Sequence, residues 1–384
     1  MPNTQSLWSR VSSLLAPGVS SGVLVSASLV ASLSGCADEG SVGARPEAVV
    51  YGEDDRTDVY AHPSASLRSL ATESIVALVP GSDLTDNGDG TWDLASAFTL
   101  EEAFDLCDDQ RFLTQPTSAF CSGTLVAPDV IVTAGHCMES MADCLETSFV
   151  FDYLYTADGV LAELEDDDVY NCAEILAQEN GVIDYAYLRL DRPVVGHTPA
   201  TLSAGIGDTC RNVEDGEAVT VLGFGSGLPL KIDDGGNVTD PSTQGRLLRD
   251  LARHLRRQQR LGRFNDAGEL VGVLSAGAAD YVTRDAEGCD VVNVLPESAG
   301  GEVIGHVLPT LADYCADAPD PDADLCALFD TACPNGVDGE GPAGEGSSCS
   351  VSSPAAGTGS APLAFLALLG LVLGRRVRRR GSAE

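Results

Sequence analysis

Residues 120–137 read FCSGTLVAPDVIVTAGHC. Cys121–Val126 alternates as a half-buried strand does, and Ala127-Pro128-Asp129 has the composition of a turn. Val130–Ala134 is a β-branched run of the fully buried kind. His136 falls just past the end of that second strand, with Cys137 next to it. A histidine held at a strand end can serve as a rigid general base, because imidazole exchanges protons near neutral pH. A lone histidine in such a place is more often a satisfied core residue, so the case rests on the rest of the chain.

The chain has 384 residues, room for one large or two modest domains once tails are set aside. Apolar residues make up 44 %, enough for a sizeable core. With 41 glycines and only 5 % aromatics, many turns between short strands fit better than a helical bundle. The formal net charge of −36 argues against nucleic-acid binding and for a self-repelling, soluble surface. Two stretches break that acidity. Arg246, Arg249, Arg253, Arg256, Arg257, Arg260 and Arg263 form one cluster, and Arg375, Arg376, Arg378, Arg379 and Arg380 form the other. There are twelve cysteines and no Cys-x-x-Cys pair, a distribution that reads as disulfides in an oxidising compartment rather than metal ligands.

Both ends read as targeting segments. Residues 1–35 carry Arg10, a short Ser-broken apolar run, and the ending Leu33-Ser34-Gly35 before Cys36. This is expected to be an export signal rather than a membrane span. The ending resembles a bacterial lipobox, which implies lipidation at Cys36; an ordinary cleaved signal is the alternative. Residues 36–71 are polar and aperiodic and read as a spacer or propeptide, and 319–348 read as an acidic, Gly-rich linker. Residues 349–384 place Cys349, small residues, the apolar run Ala361–Gly374 and the second Arg cluster in that order. The apolar run is shorter than the ~20 residues of a comfortable span. The order resembles the C-terminal sorting tag of myxobacterial surface proteins, implying that Cys349 is the sorting residue; a simple tail anchor is the alternative. Either way the central domain lies outside the cytoplasm.

The segment ending at His136 resembles the catalytic-histidine segment of the trypsin-like serine peptidases. The resemblance spans residues 72–318. It implies an all-β fold of two six-stranded antiparallel barrels, about 72–200 and 201–318, with a short C-terminal helix around Val303–Tyr314. It also implies a Cys121–Cys137 bridge and a general-base role for His136. The family places a buried aspartate next in the chain, and Val182–Pro193 supplies the pattern with Asp184 opening a strand. Asp184 would accept the imidazole N–H and stabilise the imidazolium. Gly227-Leu228-Pro229-Leu230-Lys231 resembles the second-barrel start of the bacterial V8-like, glutamyl-endopeptidase branch. Leu270–Gly277 resembles the edge strand that pairs with the substrate backbone, implying substrate contacts at Ser275, Ala276 and Gly277. No cofactor and no metal are expected. The implied partners are protein or peptide substrates and the cell envelope, and no nucleic acid.

The nucleophile is missing. No serine lies between Ser242 and Ser275, where the family carries Gly-x-Ser-Gly, and glutamine cannot attack a carbonyl. Three readings compete. The Arg run is a helix that binds an anion or a partner, in a pseudo-protease; or Ser226 serves instead; or the reading frame slips locally. One base later, codons for Arg253–Arg263 can spell Asp-Thr-Phe-Gly-Gly-Asn-Ser-Gly-Ser-Gly-Val, with the serine at the place of Gln259. We favour the third reading, because it accounts for both the missing serine and the Arg cluster. Asparagine before that serine removes the expectation of a trypsin-style activation ion pair.

With Cys36 and Cys349 set aside, ten cysteines remain, an even number. Cys144 with Cys172 and Cys210 with Cys289 are candidate bridges, while Cys315, Cys326 and Cys333 cluster near the C-terminal helix; connectivity is open. Asp83–Asp93 (DLTDNGDGTWD) reads as a hairpin turn rather than a calcium loop, since the closing Glu of the twelve-residue loop is absent.

Overall fold

The hairpin read around Pro128 is present: Cys121–Ala127 pairs antiparallel with Val130–Thr133, joined through Pro128 and Asp129. The carbonyls of Pro128 and Asp129 accept the amides of Val194 and Leu190, so the turn itself is pinned to the neighbouring chain. The computed structural model describes residues 50–51, 54–181, 183–204, 216–240, 247–251, 262–276, 280–295 and 302–334, all within the compact unit Glu47–Glu384.

In chain order the elements used below are β1 (Thr57–Asp58), helix α1 (Ala65–Ser74), β2 (Ile75–Pro80), β3 (Cys121–Ala127), β4 (Val130–Thr133), β5 (Thr147–Val150), β6 (Val169–Asn180) and β7 (Asp184–Leu190). Then come β8 (Ala218–Gly223), β9 (Lys231–Asp240), β10 (Leu247–Leu251), β11 (Gly262–Asn265), β12 (Leu270–Ala276) and β13 (Glu302–His306). Two helices follow, α2 (Val307–Asp317) and α3 (Ala323–Ala332).

One closed barrel has the order β6-β7-β4-β3-β2-β5. Its strands are short and carry apolar residues on the inner face: Val76, Leu78, Leu125, Ile131, Phe149 and Leu188 are fully buried. Closure removes the unpaired strand edges that would otherwise invite aggregation. The remaining strands form a seven-stranded sheet ordered β8-β11-β12-β13-β10-β9-β1, with an additional β8–β9 pairing. The described residues are therefore mostly β, with one six-stranded barrel closed and few helices.

Three placements differ from the sequence reading. First, the expected helix over Val303–Tyr314 begins as a strand, because β13 inserts Ile304 into the sheet opposite Leu274. The chain turns helical only at Val307, and Pro309 sits in the first turn, where a missing N–H breaks no helical bond. Second, part of the expected spacer is folded. Ser64 caps α1 by accepting the Leu67 amide, and Asp58 of β1 makes a 2.7 Å ion pair with buried Lys231. Burial lowers the Lys231 ammonium to about 8 despite that partner. Third, part of the expected linker is folded. Leu325 of α3 is fully buried, and Arg189 reaches Asp322 at 2.6 Å. The Asp83–Asp93 stretch is the hairpin expected, Leu84–Asp86 pairing with Thr91–Leu94.

The disulfides are Cys121–Cys137, Cys144–Cys172, Cys107–Cys289 and Cys315–Cys326, and Cys333 is also disulfide-bonded. The first two match the reading. The third corrects it: Cys289 pairs with Cys107, not Cys210. The Cys107 amide donates to Asp290, and this bond brings the two cysteines to 5.2 Å between Cα atoms across 182 residues of sequence. Cys210 lies outside the described residues.

His306, at the end of β13, is 6 % exposed, and burial holds its imidazole down at about 4. The unfolded chain takes up this proton near 6.5. Between those values the unfolded state binds a proton that the folded state refuses, so stability falls as pH drops through that window. The size is on the order of 3 kcal/mol. Urea unfolding at steps from pH 7 to pH 4 should show a shallower loss for His306→Gln than for the parent; equal slopes would rule this group out.

Candidate active site

β4 ends at Thr133, and one 3-10 turn, Gly135–Cys137, carries His136 out over the barrel rim. Gly135 is required there: a Cβ on it would lie 1.9 Å from the Glu179 carbonyl oxygen and 2.8 Å from that of Tyr185. Gln178 donates to the Gly135 carbonyl at 3.1 Å, and the Cys121–Cys137 bridge ties the far side of the turn back to β3. The turn is thus held by two barrel strands and a covalent bond.

Asp184 opens β7 opposite Asn180 and is 4 % exposed. Both its oxygens serve His136. Oδ1 accepts the His136 backbone amide at 2.9 Å, and Oδ2 meets Nδ1 at 2.8 Å. A buried carboxylate facing Nδ1 selects the tautomer with the proton on that nitrogen. Nε2 then carries the lone pair that a general base needs. A groove of about 310 Å³ opens beside this pair, walled by Pro80, Phe120 and Thr147 and edged by Glu139, Asp143 and Glu146. Sequence reasoning found His136 and Asp184 but missed Gly135 and Gln178 as their supports; the glycine directly before the histidine was the available signal.

Ser226 is not set up as a nucleophile. It is buried in a left-handed conformation (φ 59°), accepts from the Tyr281 hydroxyl at 2.9 Å, and donates toward Asp280 at 3.5 Å. Its proton is directed at a carboxylate rather than an imidazole.

Ser275 and Ala276 end β12. That strand is not an edge strand along its length, because it lies between β11 and β13. The β11 pairing described reaches only Val273↔Gly262, whereas on the β13 side Ala276 still pairs with Val303. Gly277, Gln259, Cys36 and Cys349 lie outside the described residues, as does 252–261 of the Arg run. The run re-enters at Gly262, where a Cβ would lie 2.7 Å from Thr124 of β3, so β11 starts hard against the barrel. Arg263 beside it is fully buried, paired with Val221 on one side and Gly272 on the other.

Residues 109–241 match the sequence profile of the trypsin family. Over that stretch the chain is similar to that family. The matched stretch contains His136 and Asp184, which the geometry joins, and it stops before Arg253. Three solved structures are similar to the chain. A Glu endopeptidase in complex with MPD shares 16 % identity over 70 % of this chain and 99 % of its own, with a TM-score of 0.40. The VesB protease of Vibrio cholerae shares 15 % over 70 % and 68 %, at 0.40. Kallikrein-related peptidase 10 shares 14 % over 66 % and 98 %, at 0.38. No curated protein sequence matches the chain.

Proposed function

We propose that the protein is a serine endopeptidase cleaving peptide bonds through an acyl-enzyme. The observation that carries this is the two-point grip of Asp184 on His136, which is the base-and-orienter half of a catalytic triad. In the reading we favour, the native gene supplies the serine at position 259. Its Oγ bonds to the substrate carbonyl carbon while His136 Nε2 takes the hydroxyl proton. The proton then passes to the leaving amine as the C–N bond breaks, and water releases the acyl group by the same steps reversed. Backbone N–H groups of the nucleophile turn would stabilise the oxyanion. The contact of Gly262 with Thr124 supports this, since it anchors the end of residues 253–263 on the strand that bears Cys121. The β8–β9 pairing supports a second barrel over about 201–318, and 72–318 as the peptidase domain.

The carboxylates at the groove beside His136 favour cationic side chains on that side of the substrate. Glutamate preference is implied only by the V8-like resemblance of 227–231. The disulfides suit an oxidising, extracytoplasmic setting. Among the described residues no helix is long and apolar enough to cross a membrane. Attachment to the outer surface through Cys36 or Cys349 remains part of the proposal.

The absence of serine between Ser242 and Ser275 favours a second reading, a surface binder that uses the same cleft without chemistry. A fluorophosphonate probe separates the two. Protein isolated from its natural source should be labelled, and His136→Ala introduced into the natural gene should abolish labelling. Well-folded natural protein that stays unlabelled would establish the binder instead.

A further inference from the structure

Away from His136, three loops of the barrel bring two carboxylates and an imidazole together. Asp152 follows β5, Asp168 closes the 3-10 turn Asp166–Asp168 before β6, and His197 follows β7. One donor atom from each lies within 4.8 Å of the other two. Along the chain 16 residues separate the first pair and 29 the second, so the fold rather than local sequence makes them neighbours.

The imidazole is oriented as a ligand would be. Its Nδ1 meets the Thr72 carbonyl of α1 at 3.0 Å, which sets the proton on Nδ1 and turns the Nε2 lone pair toward the carboxylates. Phe151 stacks on the ring at 4.2 Å between centroids and fixes its plane. The side chain of His197 is only 8 % exposed and that of Asp168 14 %. Asp168 commits Oδ2 to the Glu165 amide at 2.7 Å, so Oδ1 is the oxygen that faces the imidazole. The gap between His197 Nε2 and Asp168 Oδ1 is 3.7 Å. That is too long for an N–H···O bond, which closes to 2.7–3.2 Å. It is close to the separation of two ligands on one tetrahedral ion with bonds of 2.0–2.2 Å, about 3.4 Å.

We propose that Asp152, Asp168 and His197 bind a first-row divalent metal ion, zinc foremost, with water completing the shell. The nitrogen ligand selects against calcium and magnesium, which take oxygen donors. The electrostatics agree with the geometry: the carboxylates of Asp152 and Asp168 are like charges brought close together. A divalent cation between the two carboxylates relieves that repulsion more fully than the imidazole does. The ion would fasten α1, through Thr72 and His197, to the loops after β5 and before β6. Its role is structural, because the ligands leave His136 and Asp184 untouched.

The test uses the full chain stripped with EDTA and titrated with zinc against a chromogenic chelator, alongside thermal melts with and without zinc. One equivalent should bind, with a rise in Tm. His197→Gln and Asp152→Asn should each weaken binding by about 100-fold and abolish the Tm rise. Asp152→Asn is nearly isosteric, so it reports even if His197→Gln folds poorly. No stoichiometric zinc on the parent chain, or equal binding by both variants, overturns the site. A tenfold excess of calcium that displaces the zinc overturns the choice of metal.

Discussion

Replacing residues 253–263 by Asp-Thr-Phe-Gly-Gly-Asn-Ser-Gly-Ser-Gly-Val should turn the written chain from inert to fluorophosphonate-reactive. Peptide-ester hydrolysis should rise by at least about 10⁴-fold. The reason is partly chemical. His136 Nε2 has a base's geometry, but the written chain offers no serine hydroxyl in the segment where the family carries it. It is also structural. Arg263 is fully buried in β11, at a position between Val221 and Gly272. Taking a guanidinium out of water costs several kcal/mol, and replacing buried ions by apolar residues commonly stabilises by 1–4 kcal/mol. Valine suits a buried strand position because its branched side chain packs on the pleated surface. The replaced chain should therefore gain on the order of 3 kcal/mol, read as a higher urea midpoint, together with activity. Gln259→Ser alone should gain neither, since it leaves the arginines in place and supplies no glycine turn. A replaced chain that is more stable yet unlabelled would sink the reading-frame interpretation and leave the binder.

Asp184→Asn, made in the active form of the protein, should lower kcat by about 10⁴-fold with little change in fold. Asparagine keeps one oxygen for the His136 amide now bound at 2.9 Å, so the turn stays in place. The NH₂ group it sets against Nδ1 cannot accept a proton. The imidazole must then carry its proton on Nε2, the nitrogen that should receive one from serine. Loss of stability should be small beside the loss of rate, and the two are separable by comparing urea midpoints with single-turnover kinetics. A fall in kcat of less than tenfold would remove Asp184 from the mechanism.

The hairpin, the turn at Pro128 and the histidine just past a buried strand were legible because each is a local pattern with a local cause. Asp184 was legible through the resemblance, which implies a buried aspartate opening the alternating strand after the histidine segment. The Cys144–Cys172 pair also came through, its two cysteines lying only 28 residues apart, one in the short helix Met141–Glu146 and the other in β6. Other features had no local signature. Cys289 meets Cys107 because backbone pairing near Asp290 joins distant loops, and nothing around Cys289 excluded Cys210. Residues 57–58 and 323–332 were read as spacer and linker from their polarity. They fold because Lys231 and Arg189 offer partners to Asp58 and Asp322.

The sequence by itself singled out His136 and Asp184, and showed that no serine lies between Ser242 and Ser275. The resemblance of the two segments to the trypsin-like family carried that reading, since motifs, like strand periodicity, are properties of short stretches. Only the tertiary structure decided that Asp184 grips His136 at two points, that Arg263 is sealed inside a sheet, and that Asp152, Asp168 and His197 converge. Those are consequences of tertiary packing, which brings together residues whose separation along the chain carries no information about their distance in space.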